Sequence, residues 1–271
     1  MLERTITALI LIPIIIFCVL FESNTYGIIP YFIMVLTVVM LSTTEFYHMA
    51  QNKNIKIHSN IGITIAIILI SLAFFKESNY FWSNKYFHIF SMAVVILFII
   101  EFFRKKFIIP SSSFTTTIRG ILYLSLPLSF LFPIRNLTTG KYFLFFLIFG
   151  IVLNDICAFL VRKKWGKTRL SSLSPKKTLE GYLAGFIASF IIIYLGLNKI
   201  GLHAVILGII TGFIAPLGDL LESFLKRSFN VKDAGNILPG HGGMLDRIDS
   251  FILLIPLYYF YLFWIIKLRP L

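Results

Sequence analysis

Five carboxylates (Asp219, Glu222, Asp233, Asp246 and Asp249), four cations (Lys226, Arg227, Lys232 and Arg247) and the turn Pro239-Gly240-His241-Gly242-Gly243 fall within Gly218–Ser250, in a chain otherwise built of apolar runs. Clustered carboxylates suit a hard cation such as Mg²⁺, which takes one or two carboxylates together with phosphate oxygens. Glycines let backbone amides approach a phosphate with no Cβ in the way. Lys and Arg neutralise and grip phosphate oxygens. Metal-assisted phosphate chemistry is what these residue types at this density provide for.

Spacing refines the reading. Asp219, Glu222, Ser223 and Lys226 recur at i, i+3, i+4 and i+7, so a helix sets them on one face with Leu220, Leu221, Phe224 and Leu225 on the other. Pro216 is expected to end the preceding apolar run, leaving this amphipathic helix at the membrane surface. Asp246 and Asp249 lie one helical turn apart and are expected to face one cavity, with Arg247 turned aside. His241, between glycines, is placed to donate to a leaving phosphate.

A second constellation precedes the first. Asp155 lies inside an apolar run, seven residues before Arg162, roughly 10 Å of helix from the basic loop that follows. An ionisable group at that depth faces a cavity or a partner. Ser174-Pro-Lys176-Lys177-Thr178-Leu-Glu180-Gly181 then offers hydroxyls and paired ammoniums suited to phosphate. By contrast, Glu45 and His48 share a helix face near the end of the second apolar run, where a lone His is more often structural than catalytic, and Glu101 reads as a helix-end partner of Arg104 and Lys105.

The elements that must hold these groups are membrane helices. The 271 residues are 58% hydrophobic with 29 Phe, and the mean hydropathy is +0.87, far above a soluble domain. Nine candidate spans are expected, with apolar cores at Thr5–Phe21, Ile28–Ser42, Ile61–Phe75, Tyr86–Phe103, Gly120–Pro133, Tyr142–Leu160, Tyr182–Leu197, Gly201–Leu217 and Phe251–Ile266. The fold class is all-α: one polytopic membrane domain over residues 1–271, with N-terminal spans in 1–141 and the catalytic spans and loops in 142–271.

The first run lacks a small-x-small cleavage site and reads as a retained helix. Cys18 and Cys157 both sit in apolar runs, which excludes a disulfide framework or a paired-cysteine metal site. Most of the 25 Lys and Arg fall on one side if the amino terminus is cytoplasmic and the carboxyl terminus outside. The net charge of +13 then gathers on the cytoplasmic face, among anionic headgroups and nucleotides.

The combined pattern Ser223-x-x-Lys226-Arg227-x4-Lys232-Asp233-x-Gly235-x-x-Leu238-Pro239-x-His241-Gly242-Gly243-x-x-Asp246-Arg247-x-Asp249 closely resembles the signature of the phosphatidate cytidylyltransferases, the CDP-diacylglycerol synthases. Asp155-x-x-Ala158-Phe159 and the Ser174–Gly181 element are similar to that family's second block, although Leu160-Val161-Arg162 stands where the family tends to have x-x-Gly. The resemblance implies Mg²⁺-dependent transfer of CMP from CTP to phosphatidate, giving CDP-diacylglycerol and pyrophosphate; a bacterial inner membrane is the expected location, with the site on the cytoplasmic side that the Lys and Arg asymmetry marks.

On that resemblance Asp219 and Asp246 are the expected metal ligands with Asp249 in support, and Lys226, Arg227 and His241 join them as catalytic groups. Ser174, Lys176, Lys177, Thr178, Ser223, Lys232, Gly242, Gly243 and Arg247 are expected to bind substrate phosphates, with Asp155, Glu180, Glu222 and Asp233 supporting. Membrane lipids are the expected surroundings and nucleic acid is not an expected partner; a second cation and a homodimer are compatible with the reading. A CDP-alcohol phosphotransferase is disfavoured because its longer aspartate pattern is absent. The alternative in another class is a cation-coupled transporter, whose acids should lie near the bilayer midplane.

Overall fold

The computed structural model describes residues 2–21, 28–53, 55, 57–75, 90–94, 96–97, 99–100, 113–170, 177–237, 240 and 242–267. Among them the secondary structure is helical, with no strand. In chain order the helices are α1 (Leu2–Leu20), α2 (Ile29–Gln51) and α3 (Ser59–Phe75), then helical residues within 90–100. They continue as α4 (Ser113–Arg135), α5 (Gly140–Trp165), α6 (Leu179–Gly196), α7 (Leu202–Ser228) and α8 (Leu245–Ile265).

Six of these, α2 and α4–α8, are long and apolar enough to cross a membrane, while Leu9–Leu20 and Ser59–Phe75 are shorter apolar helices. The expected span at Tyr86–Phe103 falls partly outside the described residues, as do Glu101 and the basic hinge after it. Large apolar side chains such as Phe159 and Leu160 on α5 and Leu183, Ile187 and Leu195 on α6 are exposed. In a bilayer that surface meets lipid tails, which makes this an integral membrane protein.

Small residues set how closely the site-bearing helices approach. Gly181, Gly185, Ser189 and Ile193 form the buried face of α6 at i, i+4 spacing, packed against α5. Asn154 of α5 donates from Nδ2 to Ser189 Oγ across that seam at 3.3 Å. The buried positions of α7 include Gly208, Thr211, Gly212, Ala215 and Gly218, and Thr211 Oγ1 meets Tyr258 OH of α8 at 2.7 Å. The larger core lies where α2, α4 and α8 meet, around Tyr31, Phe46, Tyr47, Tyr123, Leu124, Ile255 and Tyr258.

One expectation is corrected, and two spans run beyond their apolar cores. Pro216 does not end a helix: α7 runs through it to Ser228, because packing on α6 and α8 supports the turn whose hydrogen bond is missing. Asp219–Lys226 is therefore the last stretch of a spanning helix and not a separate surface helix. The last span extends from its apolar core at Phe251 back to Leu245, with Asp246 and Asp249 at its start, where the sequence set them. The short fifth core extends to Ser113–Arg135 but is interrupted by a π turn at Ile121–Ser125 and a break at Phe130. Pro127 and Pro133, which have no N–H to donate, account for the irregularity.

Candidate active site

The carboxyl ends of α5 and α7 and the amino ends of α6 and α8 lie at the same end of the bundle and enclose a cavity of about 910 Å³. α5 contributes Asn154, Asp155, Ala158, Phe159 and Arg162; the head of α6 contributes Lys177, Thr178, Gly181 and Tyr182. α7 adds Pro216, Asp219, Glu222 and Lys226, and α8 adds Asp246, Arg247 and Asp249. The loop between them supplies Asp233, Asn236, Gly240 and Gly242. Both constellations seen in the sequence thus line one cavity.

The floor is where α7 and α8 touch. A Cβ on Gly218 would lie 2.5 Å from the Asp249 carbonyl oxygen, so only glycine lets the helices close here. The approach brings the carboxylates of Asp219, Glu222 and Asp249 together, each offering an oxygen within 4.8 Å of the others. Glu222 and Asp249 are buried at 1% and 8% exposure. Buried acids so close repel one another and are costly unless a cation joins them.

Lys226, one turn after Glu222, supplies part of that charge. Its Nζ is 2.6 Å from Glu222 Oε2 and 2.6 Å from Asp246 Oδ1, bridging α7 to α8. Asp246 Oδ2 also accepts the Gly243 N–H at 2.9 Å. Lys177 pairs with Asp219 at 2.5 Å, joining the head of α6 to α7. Glu222 Oε1 is buried with no hydrogen-bond partner among the described residues. An orphan carboxylate oxygen beside two further carboxylates is the donor set that a divalent cation fits.

The sequence-derived residues separate by geometry. Asp155, Lys177, Thr178, Asp219, Glu222, Lys226, Asp233, Gly242, Asp246, Arg247 and Asp249 line the cavity, so Arg247 is not turned aside as expected: the cavity reaches across the outer side of the first α8 turn. Glu222 joins Asp219 and Asp249, whereas Asp246 is engaged by Lys226 and Gly243. Ser223, Glu180, Gly243, Arg227 and Lys232 lie outside the lining. Arg227 donates from Nη1 to the Val231 carbonyl, and the Glu180 carboxylate accepts the Lys167 and Thr168 N–H groups. Ser174, Lys176 and His241 lie outside the described residues.

Local structure explains the loops. Thr178 has extended backbone as the N-cap of α6, and its Oγ1 accepts the Gly181 N–H at 3.2 Å. Leu170 N–H to Lys177 O and Leu179 N–H to Thr168 O, both 2.9 Å, tie the two ends of the basic loop together. Gly240 and Gly242 have φ of 73° and 84°, backbone that side chains rarely adopt.

Asn154, Tyr182, Asn236 and Glu45 had no assigned part in the sequence. Glu45 is 3% exposed and its carboxylate accepts the Met244 and Leu245 N–H groups at 3.0 and 2.8 Å. The signal was present: an acid in an apolar span requires a partner.

An all-helical membrane protein whose helix ends gather Arg162, Lys177, Lys226 and Arg247 around a carboxylate cluster has the site of a membrane enzyme acting on phosphate groups. The model of the cytidylyltransferase family matches residues 2–265, and the chain belongs to that family. It is similar to the phosphatidate cytidylyltransferase of Bacillus subtilis (strain 168), 30% identical over 246 residues that cover 87% of this chain and 90% of that protein. It is also similar to the phosphatidate cytidylyltransferase of Staphylococcus haemolyticus (strain JCSC1435), 29% identical over 261 residues, 94% and 96% of the two chains. A Helicobacter pylori (strain J99 / ATCC 700824) phosphatidate cytidylyltransferase is 43% identical over 117 residues, 42% of this chain and 44% of that one. The chain is a nucleotidyltransferase, and the transporter alternative is not favoured.

Proposed function

We propose that the protein transfers the cytidylyl group of CTP to phosphatidate, forming CDP-diacylglycerol and pyrophosphate for phospholipid synthesis. The observation that carries this is the single cavity in which Asp219, Glu222 and Asp249 converge beside Lys177, Lys226, Arg247 and Arg162. A phosphate oxygen of phosphatidate attacks the α-phosphorus of CTP, the new P–O bond forms, and the bond to the β-phosphate bridging oxygen breaks. The nucleophile is already an anion, so no strong base is required.

In this reading Asp219, Glu222 and Asp249 hold Mg²⁺, which supplies a fixed positive charge that polarises phosphate oxygens and offsets charge on the leaving pyrophosphate. Lys226 fixes Glu222 and Asp246 and keeps two acids from repelling phosphate. Lys177, Arg247 and Arg162 surround the phosphates from three helices, and the backbone at Gly240 and at Gly242 gives a close approach. Asp155 and Asp233 orient those cations or take a second ion. Arg227 and Lys232 add to the positive field outside the cavity.

The site faces the cytoplasm of a bacterial inner membrane in this proposal. Lys53, Arg162, Lys163, Lys164, Lys167, Arg169, Lys226, Arg227 and Arg247 lie at or next to the site end of their helices, which the positive-inside rule favours. The two short apolar helices and the helical residues within 90–100 support nine spans. The exposed apolar faces of α5 and α6 suit membrane lipid or a second copy of the chain.

Purified protein given CTP, phosphatidate and Mg²⁺ tests the proposal. CDP-diacylglycerol and pyrophosphate in equal amounts, lost on chelation and restored by Mg²⁺, are expected. Cation-driven solute uptake with no lipid product would overturn it.

A further inference from the structure

The carboxyl end of α2, which lines no part of the cavity, touches both ends of the loop that joins α7 to α8. Lys53 Nζ donates to the Ser228 carbonyl at 2.8 Å, on the last residue of α7. Glu45 accepts the N–H groups of Met244 and Leu245 at 3.0 and 2.8 Å, on the N-cap and first residue of α8. A cation thus meets a helix carboxyl end and an anion meets a helix amino end, each the favourable sign for the helix dipole.

Met244 itself makes no side-chain cap, so the amides opening α8 are satisfied from a residue about 200 positions away. The fit is close on both flanks. A Cβ on Gly235 would lie 2.6 Å from Glu45 Oε1, and one on Gly243 would lie 2.7 Å from Oε2. Glycine is needed at both places to admit the carboxylate, which is a requirement separate from any approach to phosphate. Gly243 in turn gives its N–H to Asp246 Oδ2, whose other oxygen holds Lys226.

We infer that Glu45 is a positioning residue: with Lys53 it clamps the end of α7 and the Gly243–Leu245 entry to α8 so that Asp246, and through it Lys226 and Glu222, are held in register for reaction. The inference rests on the cytidylyl-transfer reading for its catalytic consequence, but the clamp itself is a property of the backbone.

The test uses the full-length protein in detergent or liposomes. Glu45→Gln keeps the shape but turns an N–H donor toward one of the two amides; Lys53→Met, at the exposed end, removes the second contact with little risk to folding. For Glu45→Gln kcat should fall about 10- to 100-fold, with KM for CTP within about threefold, since no substrate contact is removed. Amide hydrogen exchange should rise at least tenfold in peptides covering 235–250 and stay unchanged in α5 and α6. Lys53→Met should raise exchange around 228–234 and lower kcat about two- to fivefold.

Unchanged exchange at 235–250 in Glu45→Gln would overturn the clamp, as would faster exchange with wild-type kcat. If Glu45→Gln does not fold, unchanged exchange and kcat in Lys53→Met would overturn it. A wild-type protein that makes no CDP-diacylglycerol would refute the proposed function and leave the exchange result standing on its own.

Discussion

Replacing Lys226 by Met tests the electrostatics of the site most sharply. Its Nζ lies 2.6 Å from both Glu222 and Asp246, with side-chain exposures of 13% for the lysine and 1% and 11% for the acids. Removing it leaves a nearly fully buried carboxylate without its cation, and breaking such a pair costs about 3–5 kcal/mol. The lower end applies here, since Asp246 keeps its bond from the Gly243 N–H and some contact with water. About 3 kcal/mol is therefore expected from unfolding in mixed micelles without divalent cations. The same substitution in a Glu222→Gln background, where the buried charge is already gone, should cost about 2 kcal/mol less. Equal costs in the two backgrounds would refute the claim that Lys226 acts by neutralising Glu222.

Further outcomes follow from particular contacts. Gly218→Ala sets a Cβ 2.5 Å from the Asp249 carbonyl oxygen; it should destabilise by about 1–3 kcal/mol and lower turnover at least tenfold, read from unfolding and product formation. Lys177→Met removes the ion pair with Asp219 and should raise KM for CTP about tenfold, roughly the loss of one charge-assisted contact. Thr178→Ala removes the N-cap of α6 and should cost about 1 kcal/mol with a visible increase in exchange at residues 179–182. Pro216→Ala, inside a continuous helix, should leave helical circular dichroism unchanged; a gain in helix content would show that α7 breaks there.

How much of this was legible depends on the distance over which each relation acts. Asp219, Glu222 and Lys226 could be set on one face because the spacing 0, 3, 7 belongs to any helix. Asp246 and Asp249 were paired for the same reason. The sharing of Lys226 between Glu222 and Asp246 was not legible, because it depends on how α7 leans on α8, and that is set by Gly218 against the Asp249 backbone.

Asp246 was expected among the metal ligands by resemblance, while the geometry groups Glu222 with Asp219 and Asp249. Pro216 suggested a helix end by a rule drawn from helices in water; within a membrane the neighbouring helices carry the turn. Glu45 had no assigned part in the sequence, because the amides it meets are at Met244 and Leu245, in a separate stretch of chain.

In the proposed reaction the carboxylate cluster and the cations around it transfer a cytidylyl group to a lipid phosphate. The decisive measurement is transfer of label from α-phosphate-labelled CTP into the lipid phase, by wild-type protein beside Glu222→Gln, with phosphatidate and Mg²⁺ present. Label is predicted to enter CDP-diacylglycerol with wild-type protein and to fall at least about 100-fold with Glu222→Gln, the loss of a group on which reaction depends. Wild-type protein that leaves all label in water-soluble nucleotide would rule out cytidylyl transfer to lipid, and a Glu222→Gln protein that transfers it at the wild-type rate would rule out a part for the carboxylate cluster.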